Sequence, residues 1–254
     1  MGHQHLLTLP KSRDWQHVVG LLTSGAELSA IAAATARAAE RSMIDAANDR
    51  TVRHSFFLLT QIPLAAKKQD FPAALKKLGL KVSDQPSLVE IGSAMMDAID
   101  GWTARLGHCT DYGEIAQLSA VESLHAVAGQ NLQSLFGADH IAVKKAIAQL
   151  AVPERFAYLA RDFFSRVTRR HLNFYLHREL SAHVGEGRRF PTMADHRRFE
   201  EQLDQHCRET SRIIKEFAAA WFCKHVAEGG IDRELAGGFV FVASGKMRDE
   251  LAQR

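Results

Sequence analysis

The sequence predicts an all-α protein, a multi-helix bundle of roughly nine or ten helices with two long antiparallel C-terminal helices. Three observations lead there. Apolar residues recur at three- and four-residue spacing along most of the 254 residues. Capping residues and breakers punctuate those runs. The only strand-like run, Phe239-Val240-Phe241-Val242, sits among Leu235, Met247 and Leu251, which keep helical spacing.

Taken in order, Ser12 caps a helix carrying Trp15, Val18, Val19 and Leu22, stopped by Gly25. Ala26 to Ala47 is alanine-rich, which favours helix and close helix–helix approach. Asn48 or Asp49 caps a helix with Phe56, Leu59 and Ile62, ended by Pro63. A short helix near Phe71 to Leu78 follows, then a turn from Lys81 to Pro86. Ser87 caps the next helix, which runs to about Leu106. Thr110 or Asp111 opens another to about Phe136, and a short one spans Ala138 to Leu150. Pro153 suits a first helical turn, where its missing N–H costs no hydrogen bond. After the loop around Gly185, Gly187 and Pro191, one long helix is expected from about Met193 to Ala227. Its stripe is Phe199, Leu203, His206, Thr210, Ile213, Phe217 and Trp221. Gly229-Gly230 ends it, and Asp232 caps a last helix through Leu251. Within that helix Gly237-Gly238 is a weak point, about 1 kcal/mol per glycine relative to alanine.

The segment Pro153 to Val184 breaks the ordinary pattern. Phe156, Leu159, Ala160, Phe163, Val167 and Phe174 share one helical face. Beyond Val167, Arg170, His171, His177 and Arg178 occupy that same face. The apolar side continues roughly opposite, as Leu172, Leu176, Leu180 and Val184. One reading is a spine helix whose halves meet different neighbours. Another is a helix that points polar groups into a pocket, and a third is a helix boundary that falls elsewhere in the segment.

Composition narrows the class. A hydrophobic fraction of 46% and a charged fraction of 24% suit a folded globular chain. The formal net charge of +3 argues for no particular partner. Cys109, Cys207 and Cys223 are few, odd in number and without a CxxC, which fits a reducing compartment. No apolar run has the length of a signal peptide core or a membrane helix, so no membrane partner and a cytoplasmic location are expected. One domain, 1–254, is expected, with a possible N-terminal lobe over 1–150 and a long-helix lobe over 151–254.

No catalytic motif is present: neither GxSxG, P-loop, GxGxxG nor HExxH. Glu122-Ser123-Leu124-His125 matches ExxH, the helical spacing of di-iron bundles, but has no second copy. It reads as a core histidine satisfied by Glu122. His206 reads as another core histidine. Cys207 and His225 lie roughly 27 Å apart along a helix and cannot share a zinc ion. No catalytic residue, metal site or cofactor is expected.

The densest positive charge lies where the apolar stripe changes sides. Six arginines (Arg166, Arg169, Arg170, Arg178, Arg188, Arg189) face only Glu179 and Glu186, and His171, His177, His183, Phe174 and Tyr175 are interleaved. Arginine suits bidentate contact with phosphate or carboxylate. The plain reading is a solvated face with ion pairs to acids such as Asp162, Glu179 or Glu200. As a binding surface the cluster comprises Arg166, Arg169, Arg170, His171, His177, Arg178, Arg188 and Arg189.

Three functions are therefore expected, in this order. The first is a non-enzymatic interaction or scaffold subunit that contacts a protein partner or a second copy. The second is a nucleic-acid-binding module that uses the basic cluster. The third is a binder of, or enzyme for, a small anionic ligand near Arg170 and His177.

Overall fold

The computed structural model describes residues 12–107, 109–130, 132 and 139–253. Among them it is all-helical. The helices are α1 Arg13–Thr23, α2 Leu28–Ala38, α3 Glu40–Asn48, α4 Arg50–Ala66, α5 Phe71–Lys77 and α6 Leu88–Leu106. They continue as α7 Asp111–Gly129, α8 His140–Gln149, α9 Pro153–Leu180, α10 Met193–Thr210, α11 Arg212–Ala227 and α12 Arg233–Gln253. The ends follow capping chemistry. The side chains of Ser12, Asp49, Ser87 and Thr110 accept backbone N–H groups of their own first turns. Thr192 and Asp195 form a reciprocal capping box on α10. Gly107 closes α6 at a φ of 78°, a left-handed conformation that glycine adopts without steric penalty.

These twelve helical segments exceed the nine or ten expected, because two expected helices are each broken at one residue. Ala26 to Ala47 breaks at Ala39, which lies between α2 and α3 as the cap of both. The expected helix from Met193 to Ala227 breaks at Ser211, with neither proline nor glycine to announce it. There the Arg208 carbonyl accepts hydrogen bonds from Ser211 Oγ at 2.7 Å and Arg161 Nη2 at 2.8 Å. Pro63 does not end α4, which continues to Ala66. Only one turn remains beyond it, and burial of Ile62, Ala65 and Ala66 outweighs the missing hydrogen bond. The continuation expected from Gln130 to Phe136 falls mostly outside the described residues. α9 stops at Leu180 and yields to a 3-10 turn, Ser181–His183, instead of reaching Val184. Val184 pairs with Phe190 in an isolated parallel bridge that closes the loop leading to α10.

α9 lies antiparallel to α10 and α11. Going back along α9 from His177 through Arg169 and Tyr158 to Phe156, the partners advance from Glu200 through Asp204 and Lys215 to Phe222. The buried stripe of α10 and α11 is Phe199, Leu203, Cys207, Thr210, Ile214, Ala218 and Phe222. It therefore runs one residue ahead of the expected His206, Ile213, Phe217 and Trp221. Ile213, Phe217 and Trp221 are only partly buried.

The change of face along α9 corresponds to two cores. Phe156, Leu159, Ala160, Phe163 and Phe164 join the larger core with α4 to α8, α11 and α12. Leu172, Tyr175, Leu176 and Leu180 join a smaller core with α1, α2, α10, Met43, Phe190 and Leu251. Each core draws residues from both sides of residue 150. Phe56 centres the larger one, with Phe163, Phe164 and Phe239 ring centroids at 5.6, 5.4 and 5.1 Å. No helix of the described residues is long and apolar enough to cross a membrane.

Candidate functional site

The arginines of α9 are drawn to acids on neighbouring helices. Arg166 donates to Glu122 Oε2 at 2.7 Å and to Asp162 Oδ2 at 2.5 Å. Arg170 donates to Glu122 Oε1 at 2.6 Å and to Ser119 Oγ at 3.1 Å. Both carboxylate oxygens of Glu122 are thus held by guanidinium groups. Burial alone would raise its pKa, but the hydrogen bonds and charges of Arg170 and Arg166 prevail and hold it below the usual carboxylate range. Arg169 faces Asp204 of α10 at 3.4 Å. These contacts fix the helix pairs α7–α9 and α9–α10.

The other cluster residues go elsewhere. His177 is 73% exposed at its side chain and 3.6 Å from Glu200. Arg178 lies over the Phe174 ring at 5.1 Å. Arg188 donates to the Ala182 carbonyl within its own loop. Arg189 donates to the Leu22 and Ala26 carbonyls at 3.3 and 2.7 Å and stacks over Phe190 and Phe199. It ties the loop to the C-terminal end of α1, where carbonyls favour a cation. Burial holds its guanidinium below the usual arginine range. The eight residues therefore do not converge on one point. Arg166 and Arg170 meet at Glu122, Arg169 and His177 face α10, and Arg188 and Arg189 brace the loop.

His171 enters a buried polar knot. Its Nε2 lies 3.1 Å from Ser42 Oγ, which is 3.0 Å from the Tyr112 hydroxyl and accepts from the Tyr175 hydroxyl at 2.7 Å. A serine hydroxyl has one proton and two lone pairs, so three neighbours saturate it. With both tyrosines donating, the serine proton serves the imidazole. Burial lowers the His171 pKa to about 4 and keeps the ring neutral. A nucleophile held this way has no open direction of attack, so the Ser42–His171 pair acts as a joint between α3, α7 and α9.

His125 does not take Glu122 as its partner. Its Nε2 sits 3.1 Å from the Leu88 carbonyl instead. The ring packs so closely on α6 that a Cβ on Gly92 would stand 2.2 Å from Nε2. Glu122 has turned to the arginines, so the ExxH pair diverges. Among the described residues no group of three or more His, Cys, Asp or Glu can hold a metal ion. His206 is half-buried. Cys207 is buried, and burial pushes its thiol up to about 12.

The principal cavities involve other residues, apart from one of about 30 Å³ that His171 borders. Between α11 and α12 lies an apolar groove of about 550 Å³, walled by Phe217, Trp221, Leu235, Phe239 and Val242. Asp232 and Glu234 mark one end, and Lys246 stands over Phe217 toward the other. Beside it Phe241 is 51% and Val242 49% exposed. Sequence reasoning missed this groove, although Gly237-Gly238 marked the helix that carries it. A Cβ on Gly237 would come within 3.1 Å of Arg53, whereas Gly238 and Gly245 have nothing within 4 Å.

A second cavity, of about 490 Å³, lies where α7, α9 and the α10–α11 break meet, bordered by Arg155, Tyr158, Arg161 and Arg208. No spacing in the sequence signals it, because its arginines come together only through the antiparallel packing. No protein-family model, curated protein or solved structure matches the chain.

Proposed function

We propose that the protein is a non-enzymatic helical interaction module whose contact face is the α11–α12 groove, and that the occupant is a second copy of this chain. The observation that carries the reading is the bare apolar face of α12. Gly238 and Gly245 cost that helix about 1 kcal/mol each relative to alanine, and neither glycine accommodates a neighbour within its own chain. Small residues on a helix let another backbone approach closely. The exposed Phe241 and Val242 lie on the same helix and supply apolar area to bury.

The ends of the groove favour a copy of itself. Glu234 and Lys246 are twelve residues apart on α12, about 18 Å along its axis. Two copies of α12 crossing antiparallel about a two-fold axis set the lysine end of each against the acidic end of the other. Such an interface is isologous and closes at two subunits. The location expected of such a module is the reducing cytoplasm, where its unpaired cysteines persist as thiols.

Light scattering and sedimentation at micromolar concentration test the reading. The expected result is a dimer that Phe241→Glu converts to a folded monomer. Gly238→Ala with Gly245→Ala is the sharper variant. It raises thermal stability through helix propensity and weakens the dimer by crowding the crossing. A wild-type chain that is strictly monomeric overturns the reading. The nucleic-acid alternative draws less support, since carboxylates or backbone carbonyls take up Arg166, Arg169, Arg170, Arg188 and Arg189.

A further inference from the structure

We infer that the cavity at the α10–α11 break is a binding site for a small phosphorylated metabolite, with Arg155, Arg161 and Arg208 as its anion ligands. It adjoins the charge cluster that the sequence marks on α9, through Asp162 and its partner Arg166, but it is built differently. Arg161 donates through Nε to Ser211 Oγ at 3.3 Å and through Nη2 to the Arg208 carbonyl at 2.8 Å. Two anchors fix its plane and leave its other terminal nitrogen for a ligand. A guanidinium held in place before binding loses little freedom on binding.

The charge balance favours an anion. The acid on the wall is Asp162, and Arg166 already engages it. Arg208 uses Nε for Asp204, which leaves its terminal nitrogens. The ion pairs at this place take up neither Arg155 nor Arg161. Lys215 adds a further cation, 3.8 Å from the centre of the Tyr158 ring. The Tyr158 phenol reports the resulting field. The hydrogen bond and charge of Lys215, followed by Arg161 and Arg155, hold it below the ordinary tyrosine range.

Size and shape fit a small molecule. A cavity of about 490 Å³ lies inside the usual span of small-ligand sites. Val127 and the Tyr158 ring supply apolar wall for the carbon portion, and the arginines take the phosphoryl oxygens. A cavity with concave walls suits a compact phosphate ester better than a continuous backbone. Arg155 and Arg208 are exposed at the rim, so the site opens to solvent.

Calorimetry and thermal shift with AMP and with inorganic pyrophosphate test the proposal, against sodium chloride at matched ionic strength. The expected result is saturable binding to the wild-type chain. Arg155→Glu, at an exposed position with no ion-pair partner among the described residues, should weaken it by at least about tenfold. Arg197→Glu removes the same charge at an exposed position on α10 and should leave the affinity within about twofold. Arg161→Lys keeps a cation but loses the fixed fork, and should weaken binding while circular dichroism stays helical. No saturable binding up to about 1 mM ligand overturns the proposal. So does equal loss in Arg155→Glu and Arg197→Glu, which would mean general charge attraction. Binding confined to polynucleotides, with affinity falling steeply in salt, also overturns it.

Discussion

The two halves of α9 are chemically different environments. Its first half enters a dry core, where Phe56 meets the rings of Phe156, Phe163, Phe164, Trp221 and Phe239. Its second half enters a core that borders the Ser42–Tyr112–His171–Tyr175 knot. Interlocking ring shapes specify the first. In the second, hydrogen bonds single out one arrangement, because a buried polar group without its partner is costly. The switch of faces near Val167 is where one kind of specification gives way to the other.

The largest effect should come from emptying the dry core. Phe56→Ala removes the ring that all five aromatic partners share and should cost about 3–5 kcal/mol of stability in urea denaturation. A loss below about 1 kcal/mol would mean that the cluster collapses to fill the space and is less specific than its geometry implies.

Acid should weaken the polar side through His171. The folded-state pKa of His171 is about 4, against 6.5 when unfolded, because burial disfavours its charged form. Between those values the unfolded chain binds the extra proton, so stability is complete above about pH 6.5 and falls as the pH drops toward 4. The whole effect is on the order of 3 kcal/mol. His54 behaves alike: burial first, then Arg233 and Arg105, lower its pKa to about 4. His171→Gln should therefore remove about half of the acid slope measured by denaturation across that window. An unchanged slope would mean that His171 is not neutral and buried in the folded chain.

The smallest effect concerns the boundary between the halves. Glu122→Gln releases Arg166 and Arg170 from a side chain that is 43% exposed. Solvent screening limits the cost to about 1 kcal/mol or less in the same assay. A much larger loss would make this ion-pair cluster, and not the two cores, the main specification of how α7 meets α9.

Much of the fold is legible in the sequence because helix ends are local chemistry. Ser12, Asp49, Ser87 and Thr110 cap where their side chains indicate, and Pro153 opens α9. The strand-like run at Phe239 is helical, because its flanking apolar residues set the period. The break at Ser211 is illegible because its cause is partly Arg161, fifty residues away. The candidate sites are less legible for the same reason. Charge density marks Arg166 to Arg189, but the groups that neutralise Glu122 and Asp204 depend on which helices become neighbours. The arginines at 155, 161 and 208 form a cluster only after α9 and α10 lie side by side. Ser42 sits in an alanine-rich run and carries no local sign that it will join two tyrosines and a histidine.

That α9 contributes to both cores, and that α12 does so again through Met247 and Leu251, has a bearing on how the chain comes apart. Neither core owns a complete wall of its own. Opening one strips apolar cover from the other, so partial unfolding gains little entropy for the surface it wets. The molecule should therefore behave as a single cooperative unit despite its two cores, and cutting the chain in the loop after Leu180 would leave no half able to stand alone.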